Sequence, residues 1–215
     1  IYVLIPGNHK RYKEAQELGI KNISIMSSVS ESFMKKNVRM SIEDLKRNIS
    51  FFNYGDEKLK IYLSCINECP IEGKININKI IDEILYYNGI NNVDEICLSD
   101  TCGTLTRNHL ENIIRGCKYN NINMEILSLH LDTNNYKETS KLIKYSLDNK
   151  INKFDISALN EGGCTLTIKN PNPNLTYNMF YEILLSYMSE LTPDEECCCE
   201  DCTQKKLKFV RCDEY

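Results

Sequence analysis

No run of apolar residues in this chain approaches the roughly 18 that a membrane-crossing helix needs. The apolar opening at residues 1–6 is too short for a signal-peptide core with its flanks. The expectation is an intracellular, more specifically cytoplasmic, protein without a membrane partner. Net charge is −4 with both signs interspersed. There is no basic patch or stripe, so nucleic acid is not an expected partner. No Gly-X-Gly-X-X-Gly follows the first strand-like run, which argues against a dinucleotide-binding sheet. A disulfide framework is also unexpected. The 11 cysteines are odd in number, and those from Cys65 to Cys164 are scattered through an intracellular-looking pattern where thiols stay reduced.

What is present is ordinary globular material, 42% hydrophobic and 26% charged over 215 residues. Six strand-like runs open at residues 2–5, 22–26, 59–64, 95–98, 125–129 and 153–157. Each is short, apolar and rich in β-branched residues. Each is followed by a stretch with i, i+3, i+4 spacing, near residues 12–18, 41–47, 78–85, 110–117, 138–147 and 175–188. Strands alternating with helices imply parallel βαβ units, in a doubly wound sheet or a barrel. A barrel needs eight units and typically ~250 residues. The chain reads as a partial α/β TIM-type barrel of about six units lacking the first two, over residues 1–191. It starts at Ile1 rather than Met, so a processed or partial product is expected. After Thr192-Pro193 comes an acidic, then basic, cysteine-rich segment (192–215) without period, read as a separate flexible tail. Its Cys197, Cys198, Cys199 and Cys202 lack a second anchored half, so a metal site there is not expected.

The chemistry-bearing residues fall at strand C-terminal ends, where barrels build active sites. Ser64 and Cys65 end the third run, Asp100 and Thr101 follow the fourth, His130 and Asp132 end the fifth, and residues 161–174 form a long loop after the sixth. His130 and Asp132, two apart on an extended segment, face the same side. With the Asn174 oxygen and waters they would suit Mg²⁺ or Mn²⁺ better than structural zinc. The same pair also reads as a hydrogen-bonded strand-end histidine and a helix-capping aspartate, and spacing alone favours that reading. Asp100, in Ser-Asp-Thr-Cys-Gly (99–103), is a candidate general acid/base or a helix cap. Cys164 follows two glycines, which give a hinge and close backbone approach. A loop thiol near a metal or helix N-terminus can carry a proton. Cys65 and Cys69 have no partner pair at zinc spacing and are expected to pack.

Several blocks together resemble the hydroxymethylglutaryl-CoA lyase family. They are residues 30–37 with 41–43, Tyr-Leu-Ser-Cys (62–65) with Cys-Pro-Ile-Glu-Gly-Lys (69–74), residues 95–103, Leu-His-Leu-Asp-Thr (129–133), Asp-Ile-Ser (155–157), Gly-Gly-Cys (162–164) and Asn174-Leu175. They run in order from about residue 3 to 185. The resemblance implies a TIM barrel with a divalent metal, Mg²⁺ or Mn²⁺, cleaving an acyl-CoA substrate to acetyl-CoA and a keto acid. His130 and Asn174 would be metal ligands, Asp100 a catalytic acidic residue and Cys164 the loop cysteine. Where the family has His-X-His, this chain has His130-Leu131-Asp132. Asp132 then either replaces the second histidine as a ligand or matches the residue after it. The family's Arg-Asp pair on the first barrel strand has no counterpart here. Two functions follow. One is a metal-dependent carbon–carbon lyase, with very weak or absent activity expected of these residues alone. The other is a catalytically degenerate homologue serving as a binding or interaction module. An open sheet edge would favour self-association as a homo-oligomer.

Overall fold

The computed structural model describes residues 1–52, 54–132, 135–158, 164, 166–167 and 172–191. The cysteine-rich 192–215 segment, Thr133 and the Glu161-Gly162-Gly163 run therefore lie outside the described residues. The elements in order are β1 (Val3–Ile5), α1 (His9–Glu17), β2 (Asn22–Ser28), and a short α2 (Glu31–Phe33) that runs into a π-turn (Met34–Val38). Next come α3 (Ile42–Ser50), β3 (Lys58–Ser64), β4 (Glu68–Cys69), β5 (Gly73–Lys74), α4 (Ile77–Asn88), β6 (Val93–Asp100) and α5 (Arg107–Tyr119). A 3₁₀ turn (Met124–Ile126), β7 (Leu127–Leu131), α6 (Tyr136–Asp148), β8 (Phe154–Asp155) and α7 (Tyr177–Leu191) complete the described chain.

Six strands form one all-parallel sheet in the order β1-β2-β3-β6-β7-β8. All six expected βα units are there. β4 and β5, unanticipated, make a small antiparallel hairpin over residues 68–74. Three successive helices each bury residues along one face. These are Ile80, Ile81, Ile84 and Tyr87 on α4; Leu110, Ile113, Ile114 and Cys117 on α5; and Thr139, Leu142, Ile143 and Ser146 on α6. That i, i+3/i+4, i+7 stripe is the face a helix lays on a sheet. Asn76, Thr106 and Asn135 cap the three N-termini by accepting backbone N–H groups.

The strands alternate. Ile23 and Ile25, Leu59, Ile61 and Leu63, Ile96 and Leu98, and Leu127, Leu129 and Leu131 are buried to 1% exposure or less under the helices. The opposite face carries Ser24, Lys60, Tyr62, Ser64, Cys97, Ser99, Ser128 and His130. The sheet curls over this polar face into part of a TIM barrel. Lys60 on β3 bonds Asp155 on β8 at 2.6 Å across two intervening strands. Flat strands ~4.8 Å apart would hold those backbones some 14 Å from each other. Among the described residues no helix is long and apolar enough to cross a membrane.

Candidate functional site

Strand register lays a polar row across the curl. Ser28 pairs with Ser64, Ser64 with Ser99, Ser99 with His130, and His130 with Asp155. Above it opens a cavity of about 530 Å³ lined by Ser64, Ser99, Thr101, His130, Asp132, Cys164 and Asn174, with Tyr2, Phe33 and Tyr62 on its walls. The residues expected at the site are thus gathered into one cavity, with the exception of Asp100. Strand alternation turns Asp100 away from Ser99 and Thr101, which face in. Its carboxylate instead accepts the backbone N–H groups of Leu105 at 2.9 Å and Thr104 at 3.1 Å. It caps the turn that follows β6.

Asp132 lies just beyond β7, where its backbone bridges to Asn174 in antiparallel fashion. Leu175 N–H donates to the Leu131 carbonyl (2.9 Å), and Ser157 N–H donates to the Leu175 carbonyl (3.1 Å). The 174–176 segment is thereby clamped between the ends of β7 and β8. Gly103 makes the neighbouring turn fit. Its φ is +65°, and an added Cβ would sit 2.5 Å from the Asp132 carbonyl oxygen. Cys65, at φ 65°, directs its N–H to Thr101 Oγ1 at 2.9 Å.

The Asp132 carboxyl is nearly closed off from solvent, and the His130 imidazole is half-buried. His130 Nε2 stands 3.5 Å from Asp132 Oδ1. His130 Nδ1 and Asp132 Oδ1 are both buried without a hydrogen-bond partner. Burial lowers the His130 pKa, against the pull of the Asp155 carboxylate, so the imidazole is held neutral. Burial, helped by the charge of Asp100, pushes Asp132 up to about 7. Asp100 is pushed up to about 6 by burial, which outweighs its three backbone donors. Orphaned nitrogen and oxygen atoms on a neutral imidazole and a reluctant carboxyl are what a hard-to-intermediate divalent cation would relieve. Among the described residues no three His, Cys, Asp or Glu side chains are arranged to hold an ion. A cation site here would be His130 and Asp132 completed by the Asn174 amide, and this mixed donor set fits Mg²⁺ or Mn²⁺.

No protein-family model matches the chain. The 3-hydroxy-3-methylglutaryl-CoA lyase, cytoplasmic, of Mus musculus is 30% identical over 170 residues, 76% of this chain and 48% of that protein. The 3-hydroxy-3-isohexenylglutaryl-CoA/hydroxymethylglutaryl-CoA lyase of Pseudomonas aeruginosa is 28% identical over 170 residues, 76% of this chain and 55% of that protein. The crystal structure of a P. aeruginosa hydroxymethylglutaryl-CoA lyase superimposes with a TM-score of 0.71 at 25% identity, covering 86% of this chain and 61% of that one. The chain is a relative of the hydroxymethylglutaryl-CoA lyases. It spans about half the length of the curated lyases it matches. A lyase from Acinetobacter baumannii, solved with coenzyme A and 3-methylmalate, shares the fold at TM-score 0.73 and 20% identity.

Relative to that lyase reading, residue-level reasoning missed the charged floor of the lumen: Lys60, Glu95 and Asp155. The signal was available. A lysine between Leu59 and Ile61, and an aspartate between Phe154 and Ile156, interrupt apolar strands at the inward parity.

Proposed function

We propose that this protein performs lyase chemistry of the hydroxymethylglutaryl-CoA type: divalent-cation-dependent cleavage of a 3-hydroxyacyl-CoA to acetyl-CoA and a keto acid. The observation that carries it is the convergence of His130, Asp132, Asn174 and Cys164 on one cavity, with His130 Nδ1 and Asp132 Oδ1 unpartnered. A divalent cation, when bound, supplies Lewis-acid polarisation of substrate oxygens. Neutral His130 offers a lone pair, and Asn174 offers an amide oxygen. Asp132 offers a carboxylate oxygen beside them, 3.5 Å from His130 Nε2. The hydroxyls of Ser64, Ser99 and Thr101 line the wall against which a substrate carboxylate would be oriented. Cys164 is the thiol on the cavity that can return a proton to the acetyl carbon. Asp100 acts at one remove, through the turn it caps and its charge on Asp132.

The test is Mn²⁺ binding by calorimetry together with acetyl-CoA release from hydroxymethylglutaryl-CoA. Asn174→Ala and His130→Ala should each remove Mn²⁺ binding. Cys164→Ala should leave binding intact and lower cation-dependent release by about 10²-fold or more. Cation binding indifferent to His130 and Asn174 would refute the site. Cation binding without any release would favour the binding-module reading.

A further inference from the structure

Beneath the cavity lies a charged cluster that the proposed reaction does not use. Lys60 Nζ sits 2.7 Å from Glu95 Oε1 and 2.6 Å from Asp155 Oδ1, with only 6% of its side chain exposed. Glu95 Oε1 also accepts from Ser128 Oγ at 2.6 Å. Cys97 Sγ donates to Asp155 Oδ2 at 3.7 Å. The ammonium stands 4.8 Å from the centre of the Tyr62 ring and 5.9 Å from that of Tyr2. Burial pulls the Lys60 ammonium toward neutrality, but the Asp155 and Glu95 carboxylates outweigh it and hold its pKa above the ordinary lysine value.

The two bonds of Lys60 do different things. Glu95 is on the adjacent strand β6, so that bond runs along the sheet. Asp155 is on β8, so the other bond is a chord across the lumen. β8 needs such a chord. It has two residues, Phe154 and Asp155, and its ladder to β7 is Leu129↔Phe154 and His130↔Asp155 alone. Immediately after it, Ser157 pairs with Thr176 and donates to the Leu175 carbonyl, so β8 holds one side of the segment whose other side is bridged to Asp132 through Asn174.

We infer that Lys60 is a positioning residue. Its ion pair with Asp155 holds β8 in the curl and thereby sets the Asn174 segment against His130 and Asp132. Only the last step rests on the proposed cation site.

The experiment pairs hydrogen–deuterium exchange with Mn²⁺ calorimetry on the whole chain. Asp155→Asn is the mild variant, because Lys60 keeps Glu95 and no charge is orphaned. Lys60→Met removes the chord, and Lys60→Arg preserves its charge. Lys60→Met leaves the buried Glu95 and Asp155 carboxylates without their ammonium, which is strongly unfavourable, and Asp155→Asn exchanges the ion pair across the lumen for a weaker neutral hydrogen bond. Asp155→Asn and Lys60→Met should therefore speed exchange at residues 154–157 and 174–176 by about tenfold or more, leaving the amides of β2 and β3 protected as in the wild type. Mn²⁺ affinity should fall about tenfold in both and recover in Lys60→Arg. Unchanged exchange at residues 154–157 in both variants overturns the inference. Raised exchange with undiminished Mn²⁺ affinity overturns the link to the site. Raised exchange in a protein that binds no Mn²⁺ even as wild type upholds the positioning of the 174–176 segment and refutes the cation reading instead.

Discussion

Asp100 shows how a single buried carboxyl can be coupled to its surroundings without facing the cavity. It is 3% exposed, and its pKa is pushed up to about 6 from 3.8. A raised folded-state value means that folding favours the protonated form. The stability it contributes is fully present below about pH 4 and is lost as pH rises through about 6. Asp100→Asn removes the titration while keeping one acceptor for the turn. With cations chelated, urea denaturation should show the wild type losing on the order of 3 kcal/mol against the variant between about pH 4 and pH 7. Parallel pH profiles for the two proteins would refute this. Sequence spacing marked Asp100 both as a cap and as an acid/base. Only the direction of its carboxylate, toward Thr104 and Leu105, gives the capping role a geometry.

At the scale of elements, the turns after β6 and β7 are built against each other. Gly103 and Gly19 have nearly the same backbone, φ +65° and +70°, in different surroundings. A Cβ on Gly19 meets nothing within 4 Å, whereas one on Gly103 meets Asn172 Nδ2 at 2.3 Å and the Asp132 carbonyl oxygen at 2.5 Å. Gly19→Ala should cost only the left-handed strain, about 1 kcal/mol, whereas Gly103→Ala should cost more, toward ~3 kcal/mol. Gly103→Ala should also weaken Mn²⁺ binding by displacing Asp132. Thermal melts and calorimetry of the pair check both, and equal losses in melting temperature would contradict the packing argument. The helices themselves were legible because each carries its own instructions: a Ser, Thr or Asn cap and an apolar stripe. The β4–β5 hairpin was not, because two-residue strands have no periodicity to read.

The whole sheet, among the described residues, ends at β1 on one side and β8 on the other. β1 exposes Val3 at 40% and Leu4 at 58%. On α7, Tyr177, Tyr181, Leu185 and Met188 form an exposed apolar stripe. An unpaired, apolar edge strand is a template for association. Sedimentation velocity should show concentration-dependent self-association of this chain, and Leu4→Lys should suppress it without changing the circular dichroism spectrum. A sedimentation coefficient independent of concentration would refute the expectation.

Local rules sufficed for the order of six parallel βα units and for the clustering of Ser64, Asp100, His130 and Asn174 near strand ends, since helix and strand periods are written into neighbouring residues. The chord from Lys60 to Asp155, the inward parity of Ser99 and Thr101, the outward turn of Asp100 and the orphaned atoms of His130 and Asp132 were decided only in three dimensions. Each depends on sheet curl and strand register, which bring together residues as far apart as 95 positions in the chain.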